Sequence, residues 1–133
     1  MDSQPLKVFI ADDSAVMRER LVTLVGEIKN AETVGQAENA QQTIEEVRRT
    51  KPDVVILDVR MPGSGLTALE AIKKFSKPPF VIVVTAFPYP QVRQRCLEMG
   101  ADLFLDKTSA EIDQLAEVIK QKCQSVKKTK VKK

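Results

Sequence analysis

The sequence predicts an α/β fold, a doubly wound parallel sheet with helices on both faces, and two observations carry that expectation. Short apolar, largely β-branched runs recur without polar alternation: Val8-Phe9-Ile10, Val54-Val55-Ile56-Leu57, Phe80-Val81-Ile82-Val83-Val84 and Leu103-Phe104-Leu105. Continuous runs of that kind suit strands buried on both faces. Between them lie stretches with helical periodicity, which gives the alternation βαβαβαβαβα once a second strand is counted.

The elements follow in chain order. After the first strand, Ser14 is the expected N-cap of a helix whose buried stripe is Leu21, Leu24, Val25 and Ile28. The second strand, near Thr33 to Ala37, is short, poorly apolar and interrupted by Gly35, as an edge strand would be. Asn39 is the expected cap of the second helix. The fourth helix is expected from about Pro90 to Met99, with Pro90 in its first turn and Gly100 as the residue that ends it. The last helix carries Ile112, Leu115, Ala116 and Ile119 at i, i+3, i+4, i+7.

Composition narrows the chemistry. The chain has 133 residues, the size of one domain, and no histidine. That excludes a Ser-His-Asp triad, an imidazole base, histidine-ligated zinc and a histidine phospho-carrier. Cys96 and Cys123 are too few for a four-thiolate site and read as packing residues of a reduced, intracellular protein. No targeting signal or membrane-length apolar run is present, so a cytoplasmic protein is expected. The net charge of +3 is uneven: 14 Lys+Arg against 18 Asp+Glu in residues 1–119, then seven lysines and no acid in 120–133.

Polar residues gather where the strands end. Asp12 and Asp13 follow the first run, Asp58 the third and Thr85 the fourth, and Lys107 lies two residues beyond the fifth. In an open parallel sheet these positions share the carboxyl edge, where ligands bind. An aspartate after a strand is also an ordinary turn former, so the joint placement carries the argument. Three carboxylates in one place repel unless cations compensate them. Lys107 supplies one charge, and hard oxygen donors favour Mg²⁺ over zinc for the rest.

Asp12-Asp13, the run Val54 to Asp58 followed by Met61-Pro62, the pair Thr85-Ala86, and Phe104 three residues before Lys107 together resemble the receiver domain of two-component response regulators, the CheY-like, flavodoxin-like fold. The resemblance covers about residues 5 to 124. It implies a five-stranded sheet in the order 2-1-3-4-5 with five helices. It also implies that Asp58 accepts a phosphoryl group. Asp13, Asp58 and the main-chain carbonyl of Arg60 would bind Mg²⁺, or Mn²⁺ in its place, with Asp12 acting through a water. Thr85, Ala86 and Lys107 would hold the phosphoryl group, and Phe104 would be the switch aromatic. A carboxylate already ionised at neutral pH needs no general base to attack phosphorus, so the absence of histidine is no obstacle. The phosphoryl donor would be a histidine kinase or histidine phosphotransfer protein, and the face of helix 4, strand 5 and helix 5 would change shape to control a downstream protein.

Several residues depart from the common receiver pattern. The loop Met61-Pro62-Gly63-Ser64-Gly65 is one residue short, which would reshape the start of the third helix. Thr108 stands where many receivers have proline after the lysine. Pro88 and Pro90 should shorten the fourth helix. Arg60 and Phe87, each two residues past a site residue, are expected to hinder the attacking water and prolong the phosphoryl lifetime.

The expected organisation is a receiver domain over 1–124 and a disordered Lys-rich tail over 125–133, which is either simply solvated or in contact with a polyanion. No DNA-binding domain is expected, and the protein would be a monomer or a phosphorylation-dependent dimer. A signalling phospho-acceptor is expected rather than an enzyme. Two other readings remain open: a receiver-like scaffold that works without phosphorylation, and a Mg²⁺-dependent phosphohydrolase with Asp58 as nucleophile. The second is weakened by Arg60, which stands where such enzymes carry an acid/base carboxylate.

Overall fold

A computed structural model describes the backbone of residues 4–131, and side chains as far as 124. The chain runs β1 (Leu6–Ala11), α1 (Ala15–Gly26), β2 (Ala31–Ala37), α2 (Ala40–Thr50), β3 (Val54–Leu57), α3 (Gly65–Lys73), β4 (Phe80–Thr85), α4 (Pro90–Glu98) and β5 (Leu103–Asp106). A 3₁₀ turn (Ala110–Asp113) then leads into α5 (Gln114–Val131). All neighbouring strands pair in parallel, in the order β2-β1-β3-β4-β5.

Alternation along the strands divides the core into two layers. Phe9, Val55, Leu57, Val81, Val83 and Phe104 pack with residues of α2, α3 and α4, among them Val47, Leu69, Ile72 and Cys96. Val8, Ile10, Ile56, Ile82, Val84 and Leu105 face the other way, onto Leu21 and Val25 of α1 and Leu115 and Ile119 of α5. Helices on both sides explain why the strand runs carry no polar alternation. Cys96 is wholly buried, and burial pushes its thiol up to about 11, so it is a packing residue.

Local signals place the helix ends. The Ser14 and Asn39 side chains accept from the main-chain N–H groups of Met17 and Gln42, capping α1 and α2. Pro90 opens α4, Met99 caps it, and Gly100 follows at φ 105°. Two stripes are broken at their ends. α1 stops at Gly26, and Ile28 is buried from the turn beyond it; Ile112 lies in the 3₁₀ turn, one residue short of α5 by its neighbour Asp113. Ile28 is buried in the core and Ile112 packs half-buried against the same layer, while the backbone at each leaves α geometry.

Gly35 has a packing role as well as an edge position. The β1–β2 register shifts between Val8 and Phe9, and a Cβ at Gly35 would stand 2.8 Å from the Phe9 ring. Only glycine lets the edge strand close over that ring. At the other end of the chain, the α5 backbone continues as far as Val131, into the segment 125–133 expected as a disordered Lys-rich tail. Lysine is a good helix former, and extending a helix already anchored in the core needs no new nucleus. Residues 132 and 133 lie outside the described residues.

Candidate functional site

The sheet's hydrogen bonding runs one step past the strand ends and so aims the polar residues. The Asp12 amide donates to Ala37 (3.0 Å), the Asp58 amide to Ala11 (2.9 Å) and the Lys107 amide to Thr85 (2.8 Å). Asp12, Asp58, Thr85 and Lys107 are thereby registered against one another through the backbone, on one edge of the sheet.

There the side chains converge. Carboxylate oxygens of Asp12, Asp13 and Asp58 all lie within 4.8 Å of one another. Asp12 and Asp58 are buried and Asp13 is exposed. The Lys107 ammonium sits 2.7 Å from Asp12 Oδ2 and 3.2 Å from Asp58 Oδ2. The other oxygens are also engaged: Asp12 Oδ1 accepts from the Ser14 amide and Asp58 Oδ1 from the Arg60 amide, both at 2.9 Å.

The electrostatics follow from that crowding. Burial raises the Asp58 carboxyl above its usual range, the Arg60 amide and Lys107 pull it back, and Asp12 pushes it up again; the net direction is upward. For Lys107, burial works against the charge, but the hydrogen bond to Asp12 and the two carboxylate charges outweigh it, so the ammonium is held more firmly than usual. One ammonium leaves three clustered carboxylates undercompensated. Closely spaced hard oxygens with surplus negative charge fit a hard divalent cation such as Mg²⁺.

Thr85 is fully buried, and its hydroxyl oxygen accepts from the Phe87 amide (3.1 Å). Ala86 beside it is half-buried. Phe104 is buried in the α2/α3/α4 layer, with the Arg93 guanidinium 5.4 Å from its ring centroid. Arg60 and Phe87 meet: the guanidinium lies 4.3 Å from the ring centroid, joining the β3–α3 and β4–α4 loops. The backbone shows no cis peptide bond among the described residues, Lys107-Thr108 included.

Some supporting residues carried no recognised signal in the sequence. Arg18 of α1 donates to the Asp12 carbonyl (2.8 Å), tying the helix to the acidic loop. Gly65 lies so close to the acceptor loop that a Cβ there would stand 2.3 Å from the Val59 Cα and 2.6 Å from the Asp58 carbonyl oxygen. The short loop before it turns through Gly63 (φ 83°) and Ser64 (φ 72°), and Ser64 caps α3. Met61-Pro62-Gly63-Ser64-Gly65 thus leads into α3 through two successive residues at positive φ.

The chain matches the family model of the response regulator receiver domain over residues 8–120. It is 34% identical over 128 residues to a protein-glutamate methylesterase/protein-glutamine glutaminase of Syntrophomonas wolfei, covering 94% of this chain and 36% of that protein. Across the first curated relatives it matches, the chain spans about a third to about half of their length. Among solved structures, the response regulator domain of Thermotoga maritima CheB superposes with a TM-score of 0.78 at 28% identity, covering 92% of this chain and 96% of that one. The CheX-CheY-BeF3-Mg²⁺ complex from Borrelia burgdorferi superposes with a TM-score of 0.78 at 27% identity, covering 87% and 88%. With its sheet order, its acidic edge and these matches in agreement, the chain belongs to the response regulator receiver domain family.

Proposed function

We propose that this receiver takes a phosphoryl group onto Asp58 from a phosphohistidine on another protein, a histidine kinase or phosphotransfer protein. The observation that carries the reading is the meeting of Asp12, Asp13 and Asp58 with Lys107 at the carboxyl edge of the sheet. An Asp58 carboxylate oxygen attacks phosphorus in line, the new O–P bond forms as the P–N bond breaks, and the imidazole nitrogen keeps the electron pair of the broken bond. Lys107 offsets charge on the phosphoryl oxygens. Thr85 accepts from Phe87, which leaves its own hydrogen to donate to a phosphoryl oxygen, and the neighbouring Ala86 would border the same space.

Mg²⁺, or Mn²⁺, would add positive charge opposite the phosphoryl oxygens, held by Asp13, Asp58 and the Arg60 carbonyl. Asp12 already serves Ser14 and Lys107 with its two oxygens, which suits a contact through water. The Borrelia burgdorferi complex named above contains Mg²⁺ and BeF3, in keeping with this assignment.

The stacked pair of Arg60 and Phe87 supports a restraint on hydrolysis. It bridges the two loops that flank Asp58 and narrows the approach of water to the acyl phosphate. The signal leaves through Phe104: drawing Thr85 toward the phosphoryl group shifts the α4–β5–α5 face, which engages a downstream protein. Function by self-phosphorylation and hydrolysis alone, without turnover of other substrates, accords with Arg60 occupying the position of a hydrolase's acid/base group.

Incubation with acetyl phosphate and Mg²⁺ followed by intact-mass measurement tests the reading. A gain of one phosphoryl group that disappears in Asp58→Asn is expected. No gain over a range of conditions would leave a scaffold in receiver form.

A further inference from the structure

The end of the sheet opposite the acidic site has the reverse electrostatic character. The α2–β3 and α3–β4 connections enclose a cleft of about 680 Å³ whose lining includes Arg48, Lys51, Phe75, Lys77 and Pro79. Arg48, Lys51 and Lys77 are all exposed, and none forms an ion pair among the described residues. Their neighbours differ: Arg49 pairs with Glu46 and Lys74 with Glu70. Asp53 also lines the cleft, and its Oδ2 accepts from the Lys7 amide (2.8 Å), so one of its oxygens is already committed.

Beneath these cations the cleft is apolar, with buried Val47, Pro52 and Pro79 and half-buried Phe75. The Arg48 guanidinium lies 5.3 Å from the Phe75 ring centroid, held over the cleft by a ring rather than by a carboxylate. One wall is braced from behind, because Lys73 donates to the Pro79 carbonyl (2.9 Å) and pairs with Asp102 (2.9 Å). α5 reaches the same end of the sheet. Cys123 donates to the Asn30 carbonyl just before β2, and the Lys122 ammonium lies 3.8 Å from the ring centroid of Phe80 at the start of β4.

We propose that this cleft docks an acidic, extended segment of a partner protein, with an apolar residue seated between its carboxylates. Unopposed cations around an apolar floor complement a peptide that alternates those two properties. A nucleic-acid duplex gains nothing from a recessed apolar floor, and a membrane surface cannot enter it. The cleft shares no residue with the acidic site, so this docking and phosphoryl acceptance at Asp58 stand or fall separately.

The test is fluorescence anisotropy with the full chain. The probes are a short fluorescein-labelled peptide of glutamates flanking two leucines and an all-glutamate peptide of equal charge. The leucine-containing peptide is expected to bind more tightly, to weaken with added salt, and to lose about tenfold or more in affinity with Arg48→Glu, Lys51→Glu and Lys77→Glu combined. Far-UV circular dichroism and a cooperative thermal transition report that the variant is folded; if it is not, Arg48→Gln with Lys51→Gln takes its place, with the same direction expected. Unchanged affinity in these variants overturns the proposal, as does equal binding of the all-glutamate peptide. So does tighter binding of anionic phospholipid vesicles or duplex DNA, or loss of binding only when the lysines of 127–133 are changed to glutamine.

Discussion

Lys107 lies nearer to Asp12 than to Asp58, at 2.7 Å against 3.2 Å. The closer carboxylate already carries a second hydrogen bond from the Ser14 amide, whereas the farther one is the proposed acceptor. Lys107 thus rests chiefly on a carboxylate that takes no part in bond making, within reach of phosphoryl oxygens at Asp58. Lys107→Gln should remove the only ammonium that pairs with this cluster among the described residues. Phosphorylation by acetyl phosphate, followed by intact mass over time, should slow by about tenfold or more.

The upward shift of Asp58 sets a pH dependence. A carboxyl whose folded-state value exceeds the unfolded one binds its proton more tightly in the native state. Stability therefore falls as pH rises from the usual 3.8 to the raised native value, and the full cost persists above it. Asp58→Asn should be more stable than wild type at neutral pH. The gap should narrow as pH falls through the native value. Thermal unfolding across that range checks this, and a variant less stable at neutral pH would refute it.

Mg²⁺ should raise the melting temperature of the wild type, because it relieves the repulsion among Asp12, Asp13 and Asp58. Asp13→Asn removes an exposed carboxylate with little effect on packing, so it should abolish most of that rise while raising the metal-free melting temperature slightly, because part of the same repulsion is gone. Differential scanning calorimetry with and without Mg²⁺ reads both quantities.

Separating the Arg60–Phe87 stack should speed loss of the phosphoryl group. Arg60→Asn and Phe87→Ala should each accelerate hydrolysis several-fold, and the double variant should add little, since either change alone opens the bridge. Decay of the phosphorylated mass after removal of acetyl phosphate provides the rate. Unchanged decay in both single variants would remove any role for the stack.

Gly65→Ala should be severely destabilising. The added Cβ would meet the backbone at Val59 and Asp58, which cannot rotate away as a side chain could. A loss of about 3 kcal/mol or more is expected in chemical denaturation. By contrast, Gly26→Ala has open space around its Cβ and should be nearly neutral.

Much of this arrangement was legible along the chain because its causes are local. Ser14, Asn39, Pro90 and Gly100 act within a turn of themselves, and each stands where its chemistry placed it. The strand runs were legible for a related reason: burial on both faces leaves no room for polar alternation. Even the acidic site could be anticipated, since parallel strands carry the residues after them to a common edge. The end of α1 and the start of α5 were misjudged because Ile28 and Ile112 obey the core's demand for apolar side chains outside α geometry.

The sequence by itself determined the elements, their alternation and the edge on which Asp12, Asp13, Asp58, Thr85 and Lys107 would meet; the strand order was anticipated from family resemblance. Tertiary structure alone decided which of them touch: Lys107 closer to Asp12, Arg60 on Phe87, Arg18 on the Asp12 carbonyl, Gly65 against the acceptor loop, and three cations around a cleft at the far end. Secondary structure depends on neighbours a few residues apart, whose influence is written into the local pattern. Contacts between loops depend on distances of a few ångströms between segments far apart in the chain, and those exist only once the two apolar layers have closed on the sheet.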